Sequence, residues 1–440
     1  MKIAVIGSGI SGMSAAWLLS QKHEITVYER ETRIGGHSNT VIVPGEGGVA
    51  VDTGFIVYNE QTYPNLTALF ALLGVETAAS EMSFAVSLDS GRLEYSGTGF
   101  SGLFAQQRNL VNPRFWLMLR DLLRFYRETP AHAGKLGLIA LGDFLEREGY
   151  GRAFRDDHLL PMASAIWSAP AASLLDYPAE AFIRFCDNHG LLKLANRPVW
   201  RTVKGGSRNY VERLTANYRN RVRTGCAAAS VRRAGDHVAV SDIHGATAIF
   251  DHVVMAGHAD ETLALLADPS APEKRLLSAF RYSVNRAVLH EDETLMPKRR
   301  SVWSSWNYLG ERKEMQPPSQ LCVSYWMNRL QPLETDRQFF VTLNPRHAPN
   351  PCKVLHTQTY THPLFDSEAM QAQRQLWQLQ GARNTWFCGA YFGAGFHEDG
   401  LQAGLAVAED LGGLRRPWTV ADESARIHRQ PLADPVEVAA

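Results

Sequence analysis

The sequence predicts an α/β protein. A parallel sheet flanked by helices, with one antiparallel hairpin, is interleaved with an α+β part built on a mixed or antiparallel sheet. Three observations lead there. The chain opens on an apolar strand that runs into a glycine-rich turn and a helix; glycine turns return at Gly205-Gly206 and Gly389; and aromatic-rich strands fill the stretches between. With 440 residues the chain outgrows a single ordinary core, so two interleaved domains are expected.

Ile3-Ala4-Val5-Ile6 is a short apolar run of the kind buried in parallel sheets. Gly7-Ser8-Gly9-Ile10-Ser11-Gly12 follows, then residues 13–19 with helical composition, then a strand at 24–28 that ends on Glu29. Strand, GxGxxG, helix, strand and acid in this order form a Rossmann-like dinucleotide-binding unit. Gly7 allows the tight turn, Gly9 admits a pyrophosphate to the backbone, and Gly12 lets helix and strand pack closely, so the helix N-terminus faces the phosphates. Glu29 stands about twenty residues beyond the first glycine, where a carboxylate accepts hydrogen bonds from a ribose diol.

Lysine plus arginine and aspartate plus glutamate number 45 each, so no global field recruits nucleic acid. The five cysteines (Cys186, Cys226, Cys322, Cys352, Cys388) are scattered, without zinc-knuckle or CxxC spacing. Buried reduced thiols in a cytoplasmic protein, and no metal site, are the expectation. Met1-Lys2 leads straight into the first strand, which reads against a signal peptide, and no long apolar run marks a transmembrane helix.

Residues 40–43 and 47–57 predict a hairpin whose second strand ends in Asp52-Thr53-Gly54. Tyr63-Pro64-Asn65 opens an amphipathic helix stopped at Gly74. From 76 to 199 the dinucleotide pattern lapses. Strands at 84–88 and 92–95 flank the turn Asp89-Ser90-Gly91, and 113–128 is a helix with proline at its start. Its Phe115, Trp116, Leu119, Leu122, Leu123 and Tyr126 fall on one face, and its arginines suit either a core-covering helix or contact with an anionic membrane. Apolar helical segments at 141–145 and 157–167 continue this insert.

The cofactor pattern then returns, with a helix opened by Gly205-Gly206, a strand at 222–224, a hairpin at 231–240 and a buried strand at 250–257 that ends on Gly257. Residues 282–360 read as strands dense in aromatics, and Trp303, Trp306 and Trp326 on one sheet predict a large apolar cavity. A short strand from Asn384 meets Gly389, then a loop that holds His397 opens a last helix with small residues on one face. Beyond Pro417 no periodic pattern remains and a surface tail is expected. The division is therefore 1–75, 200–280 and 380–416 for a cofactor domain, 76–199 and 281–379 for a substrate domain, and 417–440 for the tail.

Together these motifs resemble the FAD oxidoreductases that include amine oxidases, protoporphyrinogen oxidases and phytoene desaturases. The stretch after the ribose acid, Arg30-Glu31-Thr32-Arg33-Ile34-Gly35-Gly36-His37, matches that family's Arg-x-Gly-Gly segment. Adjacent glycines let the main chain run beside a diphosphate while an arginine opposes its charge. The resemblance implies FAD rather than NAD. It places Asp52-Thr53-Gly54 near the flavin, Gly257 beside the cofactor, and the helix at Glu398 with its N-terminus toward the flavin pyrimidine. The implied cofactor-binding set is Gly7, Gly9, Ile10, Ser11, Gly12, Glu29, Arg30, Arg33, Gly35, Gly36, His37, Asp52, Thr53, Gly54, Gly257, Gly389, Glu398, Asp399, Gly400 and Leu401. Monoamine oxidases tether flavin through Ser-Gly-Gly-Cys; the matching loop here is Gly389-Ala390-Tyr391-Phe392, so non-covalent FAD is implied. No lysine stands in a family motif that would reach flavin N5.

Within that family, Leu289-His290-Glu291-Asp292, Ser305-Trp306-Asn307-Tyr308 and Gly395-Phe396-His397-Glu398-Asp399-Gly400 resemble one bacterial group. Its genes often lie beside cyclopropane-fatty-acid-synthase-like methyltransferases, and relatives are linked to oxidation of methyl-branched acyl chains. The resemblance implies an enzyme that removes hydride and proton from an apolar lipid or fatty-acyl substrate to form a C=C bond. Two alternatives stay open: a flavin amine oxidase, and a non-enzymatic flavoprotein partner of a lipid-modifying enzyme. The candidate catalytic residues are His290, ending a strand of the aromatic sheet where it could reach the cavity as a proton acceptor, and His397, beside Glu398 in the last motif. A cytoplasmic location is expected, with peripheral contact to the inner membrane face through residues 113–128.

Overall fold

The computed structural model describes residues 1–45, 47–132, 134–193, 197–312, 321–421 and 423–430. Five strands form the parallel sheet, in the order Val222–Arg223, Glu24–Tyr28, Lys2–Ile6, His252–Met255 and Thr385–Phe387, every neighbouring pair parallel. The opening strand is thus the middle of a sheet drawn from both ends and the centre of the chain. The run expected as one strand at 250–257 is broken at Asp251. Its backbone N–H donates to Lys2 O (2.8 Å) and its carboxylate accepts from Lys2 N (2.6 Å). Before that break Thr247–Phe250 belongs to a separate antiparallel sheet with Ala228–Ala234 and His237–Asp242.

The first helix, Ile10–Leu19, is buried at every position. A helix apolar on all sides needs cover on all sides, and the last helix, His397–Asp410, supplies it. A Cβ at Gly404 would stand 2.2 Å from Ser11 O, and one at Gly400 would stand 2.8 Å from Ser11 Oγ, so glycine alone permits this approach. The stretch expected as a surface tail packs here too. Trp418 stacks on Trp17 (6.0 Å between centroids), Arg426 pairs with buried Asp399, and Ile427 is buried. Residues 431–440 lie outside the described residues.

The second sheet has seven strands, in the order Val354–Leu364, Arg281–His290, Phe340–Leu343, Val323–Trp326, Trp306–Gly310, Phe84–Leu88 and Leu93–Ser96. All pairs are antiparallel except Trp306–Gly310 with Phe84–Leu88, which is parallel. Those two strands come from separate stretches of chain, so no hairpin dictates their direction, and the sheet is mixed. Of the aromatics expected on this sheet, Trp303 stands outside it, because the strand begins only at Trp306. Asn307 binds Ser304 through both its amide oxygen (2.9 Å) and its amide nitrogen (2.5 Å), which holds 303–305 in a polar turn.

The helix Pro113–Glu128 forms as expected, capped by the Asn112 side chain, with a shifted inner face. Phe115, Met118, Asp121 and Phe125 are buried, whereas Trp116, Leu117 and Leu123 are exposed. The charged anchors explain the shift. Asp121 turns inward to accept from Gly151 N (2.9 Å), and Arg114 forks onto buried Asp157 (2.7 and 3.0 Å), which also takes Arg312 (2.7 and 3.2 Å).

Candidate active site

A cavity of about 1490 Å³ runs between the two sheets' contributions. One part of its wall is the glycine turn Gly7–Ser11 with Glu29, Arg30, Gly36 and Gly257. Gly7 has φ +102°, and a Cβ on Gly12 would stand 2.0 Å from Gly7 O, so this turn closes only with glycine at both positions. Gly9 is different: no atom lies within 4 Å of where its Cβ would be. Gly36 (φ +58°) crosses above it, with its own Cβ position 3.0 Å from Gly9 Cα. Gly35 (φ +123°) donates to Ser8 O (3.1 Å), and Arg33 braces the second turn through Gly36 O (2.7 Å).

Glu29 ties the wall together. Its carboxylate accepts from Ser8 N (2.9 Å), Ser8 Oγ (2.5 Å) and Glu31 N (2.8 Å) while facing the cavity. Arg30 pairs with Glu261 (3.0 Å), itself on the wall. His37 lines the cavity with its Nε2 buried and without a hydrogen-bond partner among the described residues. The open cradle at Gly9 and this unpartnered nitrogen are what a bound dinucleotide would fill and engage.

At the meeting of cofactor wall and apolar wall, the His397 ring stacks on Phe55 (3.9 Å between centroids, 12° between planes) and its Nε2 bonds Tyr210 Oη (2.8 Å). Tyr210 in turn bonds Ser38 Oγ (2.5 Å). Burial pushes the His397 pKa down to about 3, so the ring is neutral. Thr53 and Gly54 line the cavity, with Thr53 Oγ1 2.8 Å from Tyr360 Oη.

Several residues expected at the cofactor lie elsewhere. The Asp52 carboxylate is enclosed by Ser207 N (2.9 Å), Ser207 Oγ (2.8 Å), Thr40 Oγ1 (2.6 Å) and Gln331 Nε2 (3.0 Å), an internal clamp away from the cavity wall. Burial raises its pKa to about 6. Glu398 caps another helix, Pro64–Leu73, whose own N-cap residue Tyr63 offers no side-chain bond. Its carboxylate accepts from Asn65 N (3.0 Å), Asn65 Nδ2 (2.8 Å), Leu66 N (3.0 Å) and Gln402 Nε2 (3.0 Å). Asp399 accepts from Phe396 N (2.7 Å) and pairs with Arg426; Gly400 packs on the first helix; Leu401 is core. In this motif it is Gly389, Ala390, Tyr391 and residues 394–397 that line the cavity.

His290 is also corrected. It is fully buried and absent from the cavity wall, with Nδ1 accepting from Asp292 N (3.0 Å) and Nε2 bonded to Thr342 Oγ1 (2.8 Å). Both ring nitrogens are committed to the sheet, and burial lowers the pKa to about 4. We expect His290→Asn to retain FAD and the wild-type rate of flavin reduction while losing about 1–3 kcal/mol of stability, read by denaturant titration. A hundredfold slower reduction at full FAD content would restore it to the site.

Two other features escaped the sequence. Trp303 and Trp326 form a separate cluster with Met296 and Phe340; of the three tryptophans expected together, only Trp306 reaches the cavity. The others there are Trp116, Trp167 and Trp200. The second feature is His362, on the cavity wall beside His37 (5.3 Å between centroids). Asn285 Nδ2 donates to Ser168 O (2.9 Å) and to His362 Nδ1 (2.9 Å), while Asn285 Oδ1 accepts from Asn344 Nδ2 (2.7 Å). That arrangement leaves the hydrogen of neutral His362 on Nε2. Among the described residues no group of three or more His, Cys, Asp and Glu could hold a metal ion. Nor is any described helix long and apolar enough to cross a membrane.

A parallel sheet with this double glycine cradle, opening on an apolar cavity, defines a flavin-dependent oxidoreductase. The chain belongs to the family described as flavin containing amine oxidoreductase, whose profile matches residues 10–412. FAD is its cofactor. A 4,4'-diapophytoene desaturase of Staphylococcus aureus is 52% identical over 40 residues, 9% of this chain and 8% of that enzyme. The chain therefore spans only a small fraction of the length of the curated relatives it matches. Among solved structures, the CLA-producing fatty acid isomerase from P. acnes has a TM-score of 0.66 at 17% identity, covering 93% of this chain and 97% of its own. Cyclohexylamine oxidase from Brevibacterium oxydans has a TM-score of 0.61 at 16% identity, covering 93% and 99%. At such identities the likeness is one of fold.

Proposed function

We propose that this enzyme oxidises a long apolar substrate, a fatty-acyl chain, by removing a hydride and a proton from neighbouring carbons to form a C=C bond. One observation carries the reading. Beyond His397 the cavity wall is apolar, built from Leu119, Leu122, Met162, Ile166, Trp306 and Tyr325. Among the described residues the acids that line the cavity, Glu29, Glu31 and Glu261, all stand with the cofactor wall, so no described carboxylate stands in the apolar part to hold an ammonium group. Arg120 and Arg197 line it instead, which suits the anionic end of an acyl substrate. The short match to a desaturase and the fold shared with a fatty acid isomerase support the same reading.

FAD, when bound, would supply the acceptor for the hydride and, on full reduction, for the proton. Gly9, Gly36, Arg33 and Glu29 would hold it. Phe55, Tyr210 and neutral His397 keep the junction dry and uncharged, and the His362 Nε2–H is a fixed donor there. Such a surrounding favours loss of hydrogen from carbon over reaction with water.

The test is anaerobic mixing of the FAD-loaded enzyme, in detergent micelles, with a panel of acyl lipids and primary amines while flavin absorbance is followed. Methyl-branched or monounsaturated acyl chains are expected to bleach the flavin and amines to leave it oxidised. Bleaching by amines alone would replace this reading with amine oxidation.

A further inference from the structure

The helix Pro113–Glu128 and the turn before it form a face whose exposure the fold does not explain. Phe100 is 73% exposed, Val111 82%, Trp116 49%, Leu117 47% and Leu123 53%. Single exposed apolar side chains are ordinary, but a contiguous group marks a contact surface. Phe100 and Trp116 are joined through Phe104, and Leu117 and Leu123 follow on the same helix. The Phe100 ring lies 4.6 Å from Phe104, and Phe104 lies 5.5 Å from Trp116. The helix already has a buried face of its own, so this one is not core left uncovered.

We propose that this face docks on an anionic lipid bilayer, with the cavity mouth opening into it. Three observations select that occupant. Trp116 and Leu123 are both exposed and part of the cavity wall, so the outer apolar face continues inward without a polar break. The Trp116 indole N–H is bonded within the protein, to Leu110 O (2.8 Å), so its ring can leave water without stranding a donor. Residues 100–128 carry five arginines against two acids in a chain whose formal charge is zero, and Arg108, Arg120 and Arg127 are exposed around the apolar group. A second copy on the same face would set arginine against arginine, whereas anionic headgroups pair with them.

The docking surface is read from exposure and charge; that an acyl chain enters through it rests on the proposed function. The two fail separately, because vesicle binding needs no turnover and flavin reduction in micelles needs no vesicle. The experiment is co-sedimentation of FAD-loaded protein with vesicles of phosphatidylcholine alone and of phosphatidylcholine with phosphatidylglycerol. We expect binding to the phosphatidylglycerol vesicles at low salt and release at high salt. Phe100→Ser/Val111→Ser/Leu117→Ser, none of which lines the cavity, and independently Arg108→Glu/Arg127→Glu, should each weaken binding at least tenfold with FAD content and melting temperature unchanged. Failure to pellet with either vesicle, or folded variants that bind like the wild type, overturns the proposal. A wild-type dimer dissociated by the triple variant would assign the face to a second copy instead.

Discussion

Gly9→Asp should yield a folded, colourless protein. Gly9 has ordinary extended backbone (φ −67°, ψ 179°), and no atom of the described residues lies within 4 Å of its Cβ position, so a side chain can start here without disturbing the apoprotein backbone. The space it would occupy is where a cofactor diphosphate must approach the backbone, and the added carboxylate repels it. We expect FAD affinity to fall by roughly a hundredfold or more, about 2.7 kcal/mol, with the circular dichroism of the apoprotein retained. The contrast is three residues on. At Gly12 a Cβ would stand 2.0 Å from Gly7 O, so any substitution there disturbs the fold first and the cofactor only as a result. Wild-type flavin content in Gly9→Asp would remove the diphosphate from this turn.

The second large effect is expected at Glu398. Its carboxylate satisfies two backbone N–H groups at the start of Pro64–Leu73 and two side-chain amides, all buried. Glu398→Ala strands those donors together. Each stranded group costs about 1–3 kcal/mol, so a total loss of roughly 3 kcal/mol or more is expected, among the largest for a single substitution. Glu398→Gln should recover part of it, since one acceptor oxygen remains. The check is denaturant unfolding of the apoprotein, where flavin contacts play no part. A variant as stable as wild type, with weakened FAD binding alone, would return Glu398 to the cofactor.

The contrast between Gly9 and Glu398 shows what was legible in the sequence. The strand, glycine turn, helix and acid at 2–29 all lie within one local unit, and local order is what residue patterns encode. All five parallel strands could be read, because each ends at a glycine turn or an acid. Glu398 could not. It sits beside true cavity residues in sequence, yet the groups it serves are some 330 residues earlier, and nothing in its own neighbourhood announces them. His290 and His362 failed in opposite directions for one reason. Both lie on strands, where alternate side chains face opposite sides, and which side meets the cavity is decided by pairing across the sheet. Trp303 left the sheet because the Asn307 side chain takes the backbone N–H and C=O of Ser304 away from the ladder, a polar effect hidden behind an aromatic run.

The central position of Lys2–Ile6 bears on how the chain comes off the ribosome. Lys2–Ile6 can pair at once with Glu24–Tyr28, but its other neighbour, His252–Met255, emerges only much later in translation. The edge strand Thr385–Phe387 and the helix that covers the first helix emerge later still. Until then an apolar strand edge, and a helix buried on every side in the finished fold, wait for partners not yet made, the condition under which nascent chains depend on chaperones. The diphosphate turn is translated long before residues 394–397, which close the cavity it serves.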